Sequence, residues 1–172
     1  MKSKLVTSLP IVFINQGECH FSRQPELVIT ILGSCLSIIM YSIEYKLSSL
    51  SHCLLPNRSI NNEKDDNDFR YVDTSIKRML GAFDKYNIPR DKISIKIFGG
   101  AEQLSNEIKK TPPVGKQNII TALKMFDDEG LNVISMDVGG NKGRKIYFSS
   151  HTGEVLLSRL EGYKIVRLDK LK

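Results

Sequence analysis

The sequence predicts an α+β fold, a mixed α/β layered sandwich in which strands dominate and two main amphipathic helices pack on the sheets. Apolar and β-branched runs recur along the chain, whereas only two segments space their apolar residues helically. Glycine pairs and polar clusters punctuate these runs at short intervals, as turns do. The 172 residues suit one domain spanning 1–172. With 41% hydrophobic and 26% charged residues, the composition is that of a globular chain with a packed core.

Leu27–Ile31 and Leu36–Tyr41 read as two extended segments hinged at Leu32-Gly33-Ser34-Cys35. Leu47–Leu55 alternates in part, with Leu50, His52 and Leu54 on one face, and Pro56 ends it. Residues 57–69 are crowded with Asn, Asp and Ser and read as a mobile surface loop. Val72, Ile76, Met79, Leu80 and Phe83 recur at helical spacing, giving a helix that frays near Asn87 before Pro89. Ile93, Ile95 and Ile97 alternate with polar residues as a half-buried strand stopping at Gly99-Gly100. Ile119, Leu123 and Phe126 mark a second helix that ends at Gly130. Strands are expected at Val133–Val138, Lys145–Ser149 and Val155–Leu160, with turns at Gly139-Gly140 and Thr152-Gly153.

No window approaches the roughly 18 apolar residues of a membrane span, and Leu5–Asn15 is interrupted by Thr7, Ser8 and Pro10 with no cleavage pattern after it. Neither membrane insertion nor secretion is expected. The three cysteines, Cys19, Cys35 and Cys53, are an odd set that cannot complete a disulfide framework, which points to the reducing cytoplasm. The net charge is +6, and between Lys142 and Lys172 eight Lys/Arg face three acids, with residues 161–172 forming a basic C-terminal tail. Nucleic acid is not the expected partner, because Tyr147, Phe148 and Tyr163 lie in no recognised binding pattern. A solvated basic face or an acidic protein surface accounts for the charge.

A nucleophilic thiol needs a base within hydrogen-bond reach. An antiparallel hairpin folded about Ser42–Tyr45, centred between Ile43 and Glu44, sets Cys35 opposite His52, at a Cβ separation of about 4.5–5.5 Å. Cys53 adjoins His52 and points to the other face, as Cys19 does from His20. Gly33 and Ser34 precede Cys35, so backbone N–H groups there can face a developing oxyanion. A buried cysteine at a strand start is the structural alternative. No metal site is expected: there is no C-x-x-C, and adjacent His52 and Cys53 diverge. Asp137–Arg144 lacks the order of a phosphate loop and reads as a glycine turn between strands.

Leu32-Gly33-Ser34-Cys35, followed by His52 and Leu54-Leu55-Pro56, resembles the signature of the CheD family of chemoreceptor glutamine deamidases. The resemblance continues in order through Tyr71-Val72-Asp73, Phe98-Gly99-Gly100-Ala101, Gly115 with Asn118, Asp137-Val138-Gly139-Gly140, Gly143-Arg144-Lys145 and Thr152-Gly153. It departs at Glu102-Gln103-Leu104 and Ser48-Ser49. The resemblance implies Cys35 as nucleophile, His52 as general base and later acid, and Thr30 as the residue that orients the histidine. It implies conversion of specific glutamines of methyl-accepting chemotaxis receptors, in their cytoplasmic helical region, to glutamate through a cysteine thioester. No metal or organic cofactor is required, and the same route would release methanol from a glutamyl methyl ester. A neighbouring imidazolium is expected to lower the thiol pKa from about 8.5. A CheC-type phosphatase is an implied further partner. The alternative is a non-catalytic adaptor that binds receptors or such a phosphatase.

Overall fold

The computed structural model describes residues 9–58, 66–102, 111–161 and 164–167. Ten strands and two α-helices lie among them. One sheet takes the order β1-β3-β8-β9-β10, from β1 (Ile11–Phe13), β3 (Leu27–Leu32), β8 (Arg144–Ser149), β9 (Val155–Glu161) and β10 (Lys164–Arg167). The other takes the order β2-β5-β4-β6-β7, from β2 (Cys19–Ser22), β5 (Leu47–Cys53), β4 (Leu36–Ser42), β6 (Ser94–Gly99) and β7 (Val133–Val138). Helices α1 (Val72–Asp84) and α2 (Val114–Asp128) pack on the second sheet, so the layers run sheet, sheet, helices.

Strand β4 shows why its sequence is a nearly unbroken apolar run. Leu36, Ile38 and Met40 face the helices and join Val72, Ile76, Met79, Phe83 and Phe126, while Ile39 and Tyr41 face the first sheet and join Val28, Ile146 and Phe148. Both faces are covered, and all seven residues are buried. Each fully buried side chain of this kind contributes about 1.5–3 kcal/mol.

The α1 stripe and the strands at Leu27, Leu36, Leu47, Ser94, Val133, Arg144 and Val155 fall where the sequence places them. Five features differ. The β4–β5 register pairs Ser37 with His52 and Leu36 with Cys53. A turn over Ile43–Lys46, closed by Lys46 N–H to Ile43 O at 3.3 Å with Lys46 at φ 52°, moves the hairpin centre to between Glu44 and Tyr45. Cys35 therefore stands just before the ladder, diagonal to His52 rather than opposite it. Because the shift is two residues, both remain on the face between the sheets.

Helix α2 begins five residues before Ile119 and buries Gly115, Asn118, Ala122 and Phe126, with Leu123 left 37% exposed. Its inward stripe is thus a step away from the predicted one. Part of the expected basic tail is strand: Lys164–Arg167 pairs antiparallel with β9. Residues 59–65 of the expected mobile loop lie outside the described residues, as do 168–172 of the tail. The loop's end is a short 3-10 turn at Asp68–Arg70, where Asp68 accepts from Arg58 and Arg78. β1 and β2 carry no strong alternation, and pairing with β3 and β5 creates them.

Candidate active site

Thr30 on β3 meets His52 on β5 across the two sheets, and Cys35 ends the turn from β3 to β4 on the same face as His52. Thr30 is 2% exposed, His52 3% and Cys35 7%, whereas Gly33 and Ser34 are exposed on the turn between. His52 is anchored through its backbone: its N–H donates to Glu18 O at 2.9 Å and its carbonyl accepts from Gly17 N–H at 2.8 Å.

The ring is anchored through Thr30. Thr30 Oγ1 lies 2.9 Å from Ile14 O and 2.8 Å from His52 Nδ1. A carbonyl only accepts, so the one hydroxyl proton goes to Ile14, and Oγ1 is left to accept from Nδ1–H. This assignment fixes the tautomer with an unprotonated Nε2. That nitrogen is buried and has no hydrogen-bond partner among the described residues, Cys35 included. The Ser37 hydroxyl, on the residue opposite His52, is likewise buried without a partner.

Burial dominates the electrostatics. It pushes the Cys35 thiol above its ordinary range, although a hydrogen bond from the residue's own backbone N–H acts the other way. Burial also lowers His52 to about 4, against a smaller opposing effect of Glu18. Both shifts favour the thiol and the neutral imidazole, whereas the sequence reading expects an imidazolium that lowers the thiol. Cys53, fully buried between Ser51 and Ser75, is raised to about 11, and Cys19 is raised further by burial. His20 is held by Glu26 at 2.7 Å.

The turn holding Cys35 is clamped from behind. Gly100 N–H donates to Cys35 O at 2.7 Å and Ala101 N–H to Gly33 O at 2.9 Å. Gly99, at φ 112°, passes so close that a Cβ there would collide with the Cys35 carbonyl. The Asp137–Arg144 segment supports that clamp and is a turn between strands, as expected. Buried Arg144 pairs with Asp137 and donates to Gly139 O, while Gly139 N–H donates to Gly99 O at 2.9 Å.

Asn118 is the residue whose position was not foreseen. Wholly buried on α2, it donates through Nδ2 to Ser34 O at 3.2 Å and to Leu54 O at 3.1 Å. The available signal was a polar, helix-disfavoured residue in line with Gly115 and Ala122. Beside His52 a pocket of about 460 Å³ opens to solvent, lined by Phe13, Gln16, Thr30, Ile31 and Lys145. No helix among the described residues is long and apolar enough to cross a membrane.

A layered α+β scaffold thus holds a thiol and a tautomer-fixed imidazole on one buried face, the two residue types from which cysteine-based acyl chemistry is built. Comparison with known proteins narrows that chemistry. The family model described as CheD chemotactic sensory transduction matches residues 54–159. A Geobacter sulfurreducens protein named probable chemoreceptor glutamine deamidase CheD 2 is 43% identical over 152 residues, covering 88% of this chain and 91% of its own. Proteins named probable chemoreceptor glutamine deamidase CheD from Maridesulfovibrio salexigens and Methanococcus maripaludis are 35% and 33% identical, covering 87% of this chain and 92% and 95% of theirs. The chain belongs to the CheD family. The family-model match begins after Thr30, Cys35 and His52, but the alignments to these relatives leave too little of either end uncovered to omit them.

Proposed function

We propose that this protein is a chemoreceptor glutamine deamidase, with Cys35 as nucleophile, His52 as general base and then acid, and Thr30 as the group that orients His52. The observation that carries the reading is the Thr30–His52 contact, which presents a bare Nε2 on the face shared with Cys35. The relatives' names supply the substrate class. The proposed substrate is the cytoplasmic helical region of chemotaxis receptors, and a CheC-type phosphatase is a further partner in the same reading.

In this account His52 Nε2 takes the Cys35 proton as sulfur attacks the glutamine side-chain carbonyl. Because the resting pair is neutral, proton transfer accompanies attack rather than preceding it. Such contacts are often long in unliganded sites and tighten with substrate. Backbone N–H groups at Ser34 and Cys35 receive the oxyanion. Collapse breaks the C–N bond, the imidazolium returns its proton to the leaving ammonia, and a thioester remains. Water, deprotonated by His52, hydrolyses the thioester to glutamate and restores the thiol.

Incubation of a receptor cytoplasmic fragment from the same organism, followed by peptide mass spectrometry, tests the reading. A gain of about 1 Da at defined glutamines is expected, as exchange of amide for acid requires. A fragment that binds and gains no mass would replace the enzyme with the adaptor.

A further inference from the structure

Asn118 touches both chain segments that carry the proposed dyad: the carbonyl one residue before Cys35 and the carbonyl two residues after His52. Its amide orientation is settled by its partners, since two carbonyl oxygens at 3.2 and 3.1 Å both require donors and Nδ2 supplies two. The reach is made possible at the preceding helical turn. A Cβ on Gly115 would lie 2.6 Å from Gly100 O, so only glycine lets α2 come this close to the segment that binds the Cys35 carbonyl.

The peptide unit that Asn118 grips is the one joining Ser34 to Cys35. In a trans peptide the C=O and N–H of one unit point in opposite directions, and the chain has no cis bonds among its described residues. Drawing the Ser34 carbonyl toward α2 therefore aims the Cys35 N–H away from the helix. That N–H belongs to the residue whose sulfur attacks, the side on which attack on a carbonyl develops the new oxyanion.

We infer that Asn118 is a positioning residue for the proposed reaction, holding the Ser34–Cys35 peptide so that the Cys35 N–H serves as the oxyanion donor. This rests on the deamidase reading and extends it to a residue outside the dyad. The position carries a cost that a packing role would not call for. Asn is a poor helix former, and its Oδ1 is buried with no partner among the described residues.

The test is turnover of the receptor fragment by full-length Asn118→Ala, read beside alkylation of Cys35 by iodoacetamide. Alkylation forms no oxyanion, so the two readouts separate donor placement from thiol placement. A fall in kcat of about 10²–10³-fold is expected, as for loss of one oxyanion donor, with KM and alkylation rate within a few-fold of wild type. Unchanged kcat in the folded variant would overturn the inference, as would a proportional loss of turnover and alkylation. Should Asn118→Ala fail to fold, Asn118→Ser keeps a polar side chain that stands one bond short of both carbonyls and is expected to show the same split. Wild-type turnover is the control: its absence would sink the deamidase reading, and its presence with an unaffected variant would sink the role of Asn118 alone.

Discussion

Thr30 Oγ1 sits 2.8 Å from His52 Nδ1 while its proton is committed to Ile14 O, so a single hydroxyl decides which histidine nitrogen is free. Replacing Thr30 by Ala removes that decision. Thr30→Ala is expected to lower kcat on a receptor fragment by about 10²-fold through a ring free to turn, and Thr30→Ser to restore most of it. The same substitution leaves the Nδ1–H buried and unpaired, which costs about 1–3 kcal/mol in denaturant unfolding.

The burial of His52 has a signed consequence for stability. Its folded pKa, about 4, is below the ordinary histidine value, so the unfolded chain binds the proton more readily as the pH falls. The contribution is fully present above about pH 6.5 and is lost as the pH approaches 4, a difference on the order of 3 kcal/mol. Unfolding of wild type and His52→Gln across pH 4–8 checks this, and the variant should show a flatter acid limb.

Cys35 is raised by burial, so its alkylation by iodoacetamide should climb through an apparent pKa no lower than the roughly 8.5 of a free thiol. Cys53 is wholly buried and raised further still, and it should label more slowly. A profile for Cys35 centred well below that of free cysteine would instead indicate an ion pair with His52.

The two glycines beside Cys35 separate sterically. A Cβ at Gly99 meets the Cys35 carbonyl, and its φ of 112° disfavours any side chain. Gly99→Ala should therefore lose at least about 2 kcal/mol of stability together with turnover. A Cβ at Gly33 meets nothing within 4 Å, so Gly33→Ala should melt like wild type. Any loss it shows should appear in KM, because the space it fills is open to substrate.

Much of this architecture is legible in the residues. The helical stripe at Val72–Phe83 and the period-two strand at Ile93–Ile97 carry their own periodicity, and both form. Parity alone places Cys35 and His52 on one face, which survives the two-residue register shift, and it sends Cys53 to the helix side. The shift itself was not legible, because a turn closing at Lys46 instead of Tyr45 leaves the same polar break in the sequence. The reversal of the thiol–imidazole charge state depends on how deeply two sheets bury the pair, which spacing does not encode. The role of Asn118 was not legible from its helix position, since its partners are carbonyls 64 and 84 positions away.

The proposed reaction passes through a covalent bond between Cys35 and the substrate glutamine. Acid quenching during turnover of a receptor peptide, followed by intact-protein and peptide mass spectrometry, tests it most directly. A transient adduct of the peptide less one ammonia is expected, confined to the fragment bearing Cys35 and absent from Cys35→Ala, which should also be inactive. Deamidation by Cys35→Ala at the wild-type rate would contradict it.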